Sequence, residues 1–209
     1  RGVALKHGYR ASFMAKPYLQ FPGSGMHVHV SLYDGAGNNL LAAHQQQPLR
    51  HAVAGCLELL PHCMPIFSPN HNAFRRLGGT VNAATRANWG FEDRDACVRI
   101  PDSDPRNLRI EHRLASADAN PYLVLAAILA GLEHGLEARQ EPIAPLNEDR
   151  NSGADFPLEM LDAVRAMQHQ AVLRDKLGAE FIDVYCENKR QDHLAFQQEI
   201  NAREYRWFL

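Results

Sequence analysis

The hydrophobic pattern changes midway along the chain, and this change restricts the fold more than any other feature. In the first half, residues 26–32 alternate apolar and polar side chains, as strands do, and residues 96–101 and 108–114 are also interpreted as strands. In the second half, the apolar residues recur at helical spacing. Strands followed by helices predict an α+β domain with an antiparallel sheet, flanked by helices. Residues 1–117 are expected to be mainly strands and loops, and residues 118–209 mainly helices.

Helix boundaries follow from caps and breakers. Asn120 before Pro121 predicts an N-cap and first helical residue, for a helix over residues 121–138. A second helix is expected from about residue 155 to Gly178, and a third from there to the C-terminus. In the first half, leucine and valine spacing predicts a helix over residues 49–60, and residues 68–90 are interpreted as loop.

Composition excludes several classes of protein. The 209 residues carry 22 Lys and Arg against 24 Asp and Glu, a balance that argues against a nucleic-acid-binding protein. The most apolar stretch, residues 122–132, is too short to span a bilayer, so no membrane partner is expected. Four cysteines without a CxxC spacing indicate reduced thiols and a cytoplasmic protein.

Two of the expected strands carry side chains that can bind ligands or take part in catalysis. His27, His29 and Ser31 lie on one face of the first strand, where two imidazoles can serve a metal ion; a half-exposed strand edge is the alternative. On a later strand, Glu111 lies between Arg109 and Arg113 on one face. That pattern is typical either of an ion-pair ladder or of an active-site floor on which the carboxylate holds a metal and the arginines hold anions.

Arginine usage weighs against a simple ion-pair ladder. Of the 22 basic residues 18 are Arg, and residues 75–113 contain eight Arg and no Lys. Arginine suits a planar, two-pronged grip on carboxylate or phosphate. Together with the histidines on one strand and the glutamate on the other, this density of arginines suggests metal-assisted phosphoryl chemistry. An arginine-rich interface remains the alternative.

Six segments together resemble, in order, the catalytic domain of the glutamine synthetase family. They are residues 23–29 (GSGMHVH), 72–77 (NAFRRL), 89–94 (WGFEDR), 98–101 (VRIP), 109–114 (RIEHRL) and 119–122 (ANPY). The resemblance implies the sheet of the glutamine synthetase and guanidino kinase catalytic domains. It also implies an enzyme that joins the γ-carboxylate of L-glutamate to ammonia or an amine through γ-glutamyl phosphate, using ATP. Two Mg²⁺ or Mn²⁺ ions per site and a homo-oligomer of stacked rings belong to the same expectation.

The resemblance also assigns roles to residues. His27 and Glu111 would be metal ligands, and Gly23 would offer its backbone to glutamate. Arg76 and Arg113 would hold the glutamate carboxylate and the phosphoryl oxygens. Arg94 and Arg99 would stabilise charge during phosphate transfer. The residues that would face the nucleotide are His29, Ser31, Arg94 and Arg109. Arg76, Arg94 and Arg99 would thus be the catalytic residues.

Departures from the family pattern limit which nitrogen compound is expected as the acceptor of the glutamyl group. Asn82 stands where ammonia-using members have a glutamate beside the ammonium site, and Pro22 replaces the asparagine usual before Gly23. Both changes are similar to the branch that glutamylates amines, such as γ-glutamylpolyamine (glutamate–putrescine) ligases. The alternatives are glutamine synthetase proper, which uses ammonia, and a non-catalytic relative. A guanidino kinase is a further alternative, because its fold is related, but its sequence motifs are not seen here.

The same resemblance predicts that these residues are the C-terminal portion of one catalytic domain. An N-terminal β-grasp-like domain and the first catalytic strands would lie outside them. Two ligands, His27 and Glu111, cannot satisfy an ion that takes about six. The 209-residue chain alone is therefore expected to bind metal weakly and to lack ligase activity.

Overall fold

A computed structural model describes residues 1–42, 47–77 and 85–209 of the chain. Its elements are nine α-helices in these residues, six short strands and three 3₁₀ turns, which confirms the α+β class. No helix among the described residues is both long and apolar enough to cross a membrane.

The main sheet has four short strands in the order β1, β5, β4, β3. The bounds are Val28–Val30 for β1, Trp89–Phe91 for β3, Val98–Ile100 for β4 and Ile110–His112 for β5. A separate pair joins β2 (Arg86–Ala87) to β6 (Ala154–Asp155), antiparallel. The strands at 26–32, 96–101 and 108–114 are thus confirmed in their centres, and their register places the site described below.

The sheet is mixed, where the sequence predicted an antiparallel sheet. β1 with β5 and β4 with β5 are antiparallel, but β3 and β4 run parallel, with Gly90 opposite Arg99. The sequence favoured an antiparallel sheet because its strands precede its helices, and parallel strands usually need a longer connection than the one between β3 and β4. Here residues 92–97 turn out of the sheet at Glu92, which has a φ of 52°, and return the chain in the same direction.

Helices occupy more of the first half than expected. They run α1 Gly2–Lys6, α2 Gln47–Leu59, α3 Met64–Phe67, α4 His71–Leu77, α5 Pro121–Ala138, α6 Met160–Gln168, α7 Ala171–Leu177, α8 Ala179–Gln197 and α9 Ala202–Phe208. The first half thus contains four helices among its strands and loops, and the segment 68–90 is not all loop. Asn70 caps α4 by accepting the backbone N–H of Ala73 at 2.9 Å, a cap that the sequence interpretation overlooked.

The second half contains five helices, not three, since the last expected helix is also divided, into α8 and α9. α5 spans the predicted residues, and Asn120 accepts the backbone N–H of Tyr122 at 3.0 Å as the expected N-cap. The single helix expected before Gly178 is divided into α6 and α7, because the side chain of Gln170 accepts the N–H of Val172 and starts a new helix. α7 does end at Gly178, which has a φ of 93°.

One continuous apolar core joins the sheet to the helices. α2 and α5 cross at Gly55, Gly131 and Gly135, where the two backbones touch with no side chain between them. Met26, Val28, Val30 and Leu32 pack on this core, as the alternation predicted. The opposite face of β1, which carries the histidines, is left for the site.

Candidate active site

The Glu111 carboxylate is the centre of the polar face of the sheet. Strand register places His29, Glu111 and Arg99 opposite one another across β1, β5 and β4. Side chains directly opposite on adjacent strands point to the same face of the sheet. This row therefore brings His29 next to Glu111, although the two residues are 82 positions apart in the sequence. Glu111 itself is buried, with its side chain only 4% exposed.

Four charged or imidazole groups approach the two carboxylate oxygens of Glu111. Oε1 accepts from Nη1 of Arg113 at 2.7 Å and lies 3.0 Å from Nδ1 of His27. Oε2 accepts from Nη1 of Arg99 at 2.7 Å. Nε2 of His29 is 4.0 Å from Oε1. The structure thus brings together His27, His29, Arg99 and Arg113 around one carboxylate.

These neighbours set the ionisation of the cluster. Burial alone would raise the pKa of Glu111, but hydrogen bonds and positive charge from Arg99 and Arg113 outweigh it, so this pKa lies below its usual range. The pKa of His27 is also lowered, chiefly by burial and then by the charge of Arg113. The site therefore presents an ionised carboxylate beside a neutral imidazole, which is the state in which both can donate electron pairs to a cation.

Arg76 reaches the same region from α4. Its Nη1 donates to the carbonyl of Leu114 at 2.7 Å and its Nη2 to that of Arg113 at 3.2 Å. The segment containing Gly23 and Gly25 passes directly over this side chain: a Cβ at Gly25 would lie 2.6 Å from Nη2 of Arg76, and one at Gly23 would lie 2.9 Å from its Cγ. A Cβ at Gly23 would also lie 2.6 Å from the carbonyl oxygen of Ala15, so backbone as well as Arg76 leaves no room for a side chain there, whereas a Cβ at Gly25 would meet only the end of the arginine.

The residues expected to face a nucleotide do not all join the Glu111 cluster. Arg109 donates from Nε to Nδ1 of His29 at 3.2 Å, so these two lie side by side at the sheet edge. Ser31 lies beyond the end of β1, where its hydroxyl donates to the carbonyl of Leu108 at 3.3 Å. Arg94 is exposed, in the connection between β3 and β4, and its carbonyl accepts from Nη2 of Arg113 at 3.2 Å.

Two residues with structural influence on the site were not singled out from the sequence. Glu92 accepts from Nη2 of Arg99 at 2.7 Å, so Arg99 lies between two carboxylates. Asn72 clamps the backbone of Lys16, accepting its N–H and donating to its carbonyl, each at 2.8 Å. Glu92 lies within the motif of residues 89–94, and this position was the feature of the sequence that could have identified it. The Asn82 expectation lies outside the described residues.

The donor set fits part of a divalent-metal site. Glu111 Oε1 and His27 Nδ1 are 3.0 Å apart, so both point at one place, and a mixed carboxylate and imidazole pair suits Mn²⁺ or Mg²⁺. Across residues 1–42, 47–77 and 85–209, no group of three or more His, Cys, Asp or Glu side chains could hold a metal ion. His27 and Glu111 can therefore serve only as part of a larger ligand set.

Fold and site together define a class of protein: an α+β domain whose sheet presents one buried carboxylate among arginines and histidines, suited to binding anions next to a cation. Comparison with known families gives this class a name. The family "Glutamine synthetase, catalytic domain" matches residues 1–208. The chain belongs to the glutamine synthetase family.

Individual relatives agree with this assignment. The gamma-glutamylputrescine synthetase PuuA of Escherichia coli (strain K12) is 39% identical over 218 residues, covering 100% of this chain and 45% of the relative. A glutamine synthetase of Halobacterium salinarum is 31% identical over 219 residues, covering 98% of this chain and 48% of the relative. The chain thus spans about half the length of the curated relatives it matches.

Solved structures show the same fold. The structure of GmaS without ligand superimposes with a TM-score of 0.87 at 31% identity, over 98% of this chain and 49% of GmaS. A GmaS/ADP complex gives a TM-score of 0.85 at 30% identity, over 99% of this chain and 51% of the other.

Proposed function

We propose that these residues form part of an ATP-dependent carbon–nitrogen ligase that joins L-glutamate to an amine or polyamine. In this reaction the γ-carboxylate of glutamate attacks the γ-phosphorus of ATP, and ADP leaves. The amine nitrogen then attacks the resulting γ-glutamyl phosphate, phosphate leaves, and the nitrogen loses a proton. The observation that carries the proposal is the Glu111 carboxylate held by Arg99 and Arg113 at 2.7 Å each, with His27 at 3.0 Å.

The chain's own residues supply binding and charge. Arg113 and Arg76 bind the glutamate carboxylate and the phosphoryl oxygens, and Gly23 presents its backbone to glutamate. Arg94 and Arg99 stabilise the negative charge that develops during phosphoryl transfer. His29, Ser31 and Arg109 lie along the edge of β1 and form the nucleotide side of the site. His27 and Glu111 would hold a Mg²⁺ or Mn²⁺ ion, which when bound neutralises charge on the phosphates.

The acceptor is the finer part of the proposal. Identity to PuuA, named as a gamma-glutamylputrescine synthetase, is 39%, against 31% for the glutamine synthetase of Halobacterium salinarum. Asn82 in place of a glutamate offers a neutral side chain, which attracts NH4⁺ less than a carboxylate does. Both observations favour an amine, with putrescine as the first compound to test.

Steady-state kinetics of the full-length protein can separate the amine from ammonia. ADP or phosphate release is followed with glutamate, ATP and Mg²⁺ or Mn²⁺, and either putrescine or ammonium at equal concentration. Faster turnover with putrescine supports the proposal. Faster turnover with ammonium would identify glutamine synthetase activity, and no turnover with either would favour a non-catalytic relative.

The non-catalytic alternative has its own test, which uses binding instead of turnover. ATP binding to the full-length protein is measured by calorimetry with and without Mn²⁺, in the natural sequence and in Glu111→Ala. Binding that needs the metal and is lost in Glu111→Ala supports an enzyme site. Binding that ignores the metal supports the alternative.

The remaining proposals concern the whole protein. We propose a cytoplasmic homo-oligomer of stacked rings, in which segments outside these 209 residues complete the metal sites. The isolated chain is then inactive and binds Mn²⁺ weakly, because His27 and Glu111 are too few ligands. Turnover by the isolated chain would contradict this, and sedimentation of the full-length protein tests the assembly.

A further inference from the structure

Glu92 has a backbone conformation that is unfavourable for its residue type. Its φ is 52°, and among the described residues only Arg139 is a second non-glycine with positive φ. In the left-handed region Cβ crowds the following carbonyl, so glycine or asparagine is the usual occupant. A strained residue that is not glycine indicates that its side chain has a use at that position.

The contacts of Glu92 show what the side chain does. Its Oε2 accepts from Nη2 of Arg99 at 2.7 Å, and its Oε1 accepts the backbone N–H of Asp102. Its own N–H donates to the carbonyl of Ile100 at 3.0 Å. Backbone and side chain of Glu92 are thus both attached to the segment that contains Arg99. The Asp102 N–H and then Arg99 lower the pKa of Glu92, so it is ionised at neutral pH.

Arg99 is consequently held at two points. Nη1 donates to Glu111 at 2.7 Å and Nη2 to Glu92 at 2.7 Å. Nε of Arg99 is buried and has no hydrogen-bond partner in the described part of the chain. Two anchors on different nitrogens define the plane of a guanidinium, and without Glu92 the group could rotate about its contact with Glu111.

We propose that Glu92 is a positioning residue, which fixes the guanidinium of Arg99 in the orientation that phosphoryl transfer requires. This inference rests on the proposed function, in which Arg99 stabilises the transferring phosphoryl group. Electrostatic stabilisation depends on donors that are already aimed at the developing charge, and a displacement of about 1 Å can lower a rate by about 100-fold.

The alternative is that Glu92 only fastens the connection between β3 and β4. Three variants of the full-length protein distinguish the two roles. Glu92→Gly removes both side-chain contacts and relieves the strain of the positive φ. Glu92→Gln keeps one carbonyl oxygen as an acceptor for Arg99. Asp95→Asn is the matched control, because it removes a carboxylate from the same connection, one that binds Arg150 at 2.9 Å and not Arg99.

The kinetic readout is kcat and KM for glutamate with ATP, metal and amine. Glu92→Gly should lower kcat by about 10- to 100-fold with KM changed less than about 3-fold, since geometry of transfer and not substrate binding is affected. Glu92→Gln should fall between Glu92→Gly and the natural sequence, and Asp95→Asn should retain its activity. Thermal unfolding of Glu92→Gly should stay within about 4 °C of the natural sequence, because relieved strain offsets the lost ion pair.

A structural readout makes the result independent of turnover. Crystal structures of the natural full-length protein and of Glu92→Gly should show the Arg99 guanidinium displaced by about 1 Å or more in the variant. An unmoved Arg99, an unchanged kcat in Glu92→Gly, or an equal loss in Asp95→Asn would overturn the inference. If the natural protein shows no turnover, the proposed function fails, and the position of Arg99 in the variant still decides the role of Glu92.

Discussion

Gly55→Ala tests the contact between the two central helices of the fold. Gly55 lies in α2, facing the backbone of α5. A Cβ at this position would lie 2.2 Å from the carbonyl oxygen of Gly131, 2.4 Å from the nitrogen of Gly135 and 2.6 Å from its Cα. All three are backbone atoms of a buried helix, so no side chain can rotate away to make room.

The expected cost follows from these distances. Ordinary contacts of a Cβ begin near 3.4 Å, so α2 and α5 must separate by about 1 Å, a gap that forfeits a quarter to a half of the dispersion energy between facing atoms. Overpacking of this kind costs about 1–3 kcal/mol and sometimes more. Alanine in a helix interior recovers about 1 kcal/mol relative to glycine. Because the obstacle is backbone, we expect a net loss of about 2 kcal/mol.

Thermal unfolding followed by circular dichroism measures this loss. For a chain of this size, about 2 kcal/mol corresponds to a decrease in Tm of about 4–8 °C. Gly2→Ala is the matched control, since a Cβ at Gly2 meets nothing within 4 Å and the same substitution in α1 should leave Tm unchanged.

A graded series makes the prediction strict. A Cβ at Gly135 would lie 2.0 Å from the carbonyl oxygen of His51, whereas one at Gly131 would lie 3.0 Å from Cα of Cys56. Gly135→Ala should therefore destabilise at least as much as Gly55→Ala, and Gly131→Ala should destabilise less. A Tm that rises in Gly55→Ala, as helix propensity alone predicts, would refute the close crossing of α2 and α5.

Three further perturbations have defined outcomes. Asn120→Ala should lower the free energy of unfolding by about 1 kcal/mol, measured by urea titration, while Asn120→Asp should retain the cap of α5; equal losses would contradict the capping role. Burial, and then the charge of His193, lower the pKa of His71. The unfolded state therefore takes up protons more readily than the folded state, so the free energy of unfolding should decrease as pH falls through about 6.5. His71→Phe, which keeps an aromatic ring, should flatten this dependence on pH in urea titrations between pH 7.5 and 5.5. Arg113→Lys should lower kcat/KM for glutamate by about 10-fold or more in the full-length protein, because lysine cannot replace a guanidinium that donates to Glu111 and to a backbone carbonyl at once; unchanged steady-state kinetics would remove Arg113 from the site.

Local features of the sequence predicted the elements that depend on local interactions. The α5 boundaries followed from Asn120 and Pro121, because a cap and a proline act within one helical turn. The faces of β1 followed from strict alternation, because side chains of a strand point to opposite sides. α4 was missed because its Asn70 cap lies in a segment rich in turn-forming residues, and short helices are stabilised mainly by what they pack against.

The sequence by itself determined the chemistry available to this protein: arginines in place of lysines, two histidines on one strand face, and one glutamate between arginines. It determined the α+β class for the same reason, because periodicity is a property of neighbouring residues. Only the tertiary structure decided which of these groups meet. Strand register placed Arg99 and His29 beside Glu111, and the parallel pairing of β3 with β4 brought Glu92 against Arg99. Contacts between strands depend on how the strands pair and pack, which no local pattern encodes.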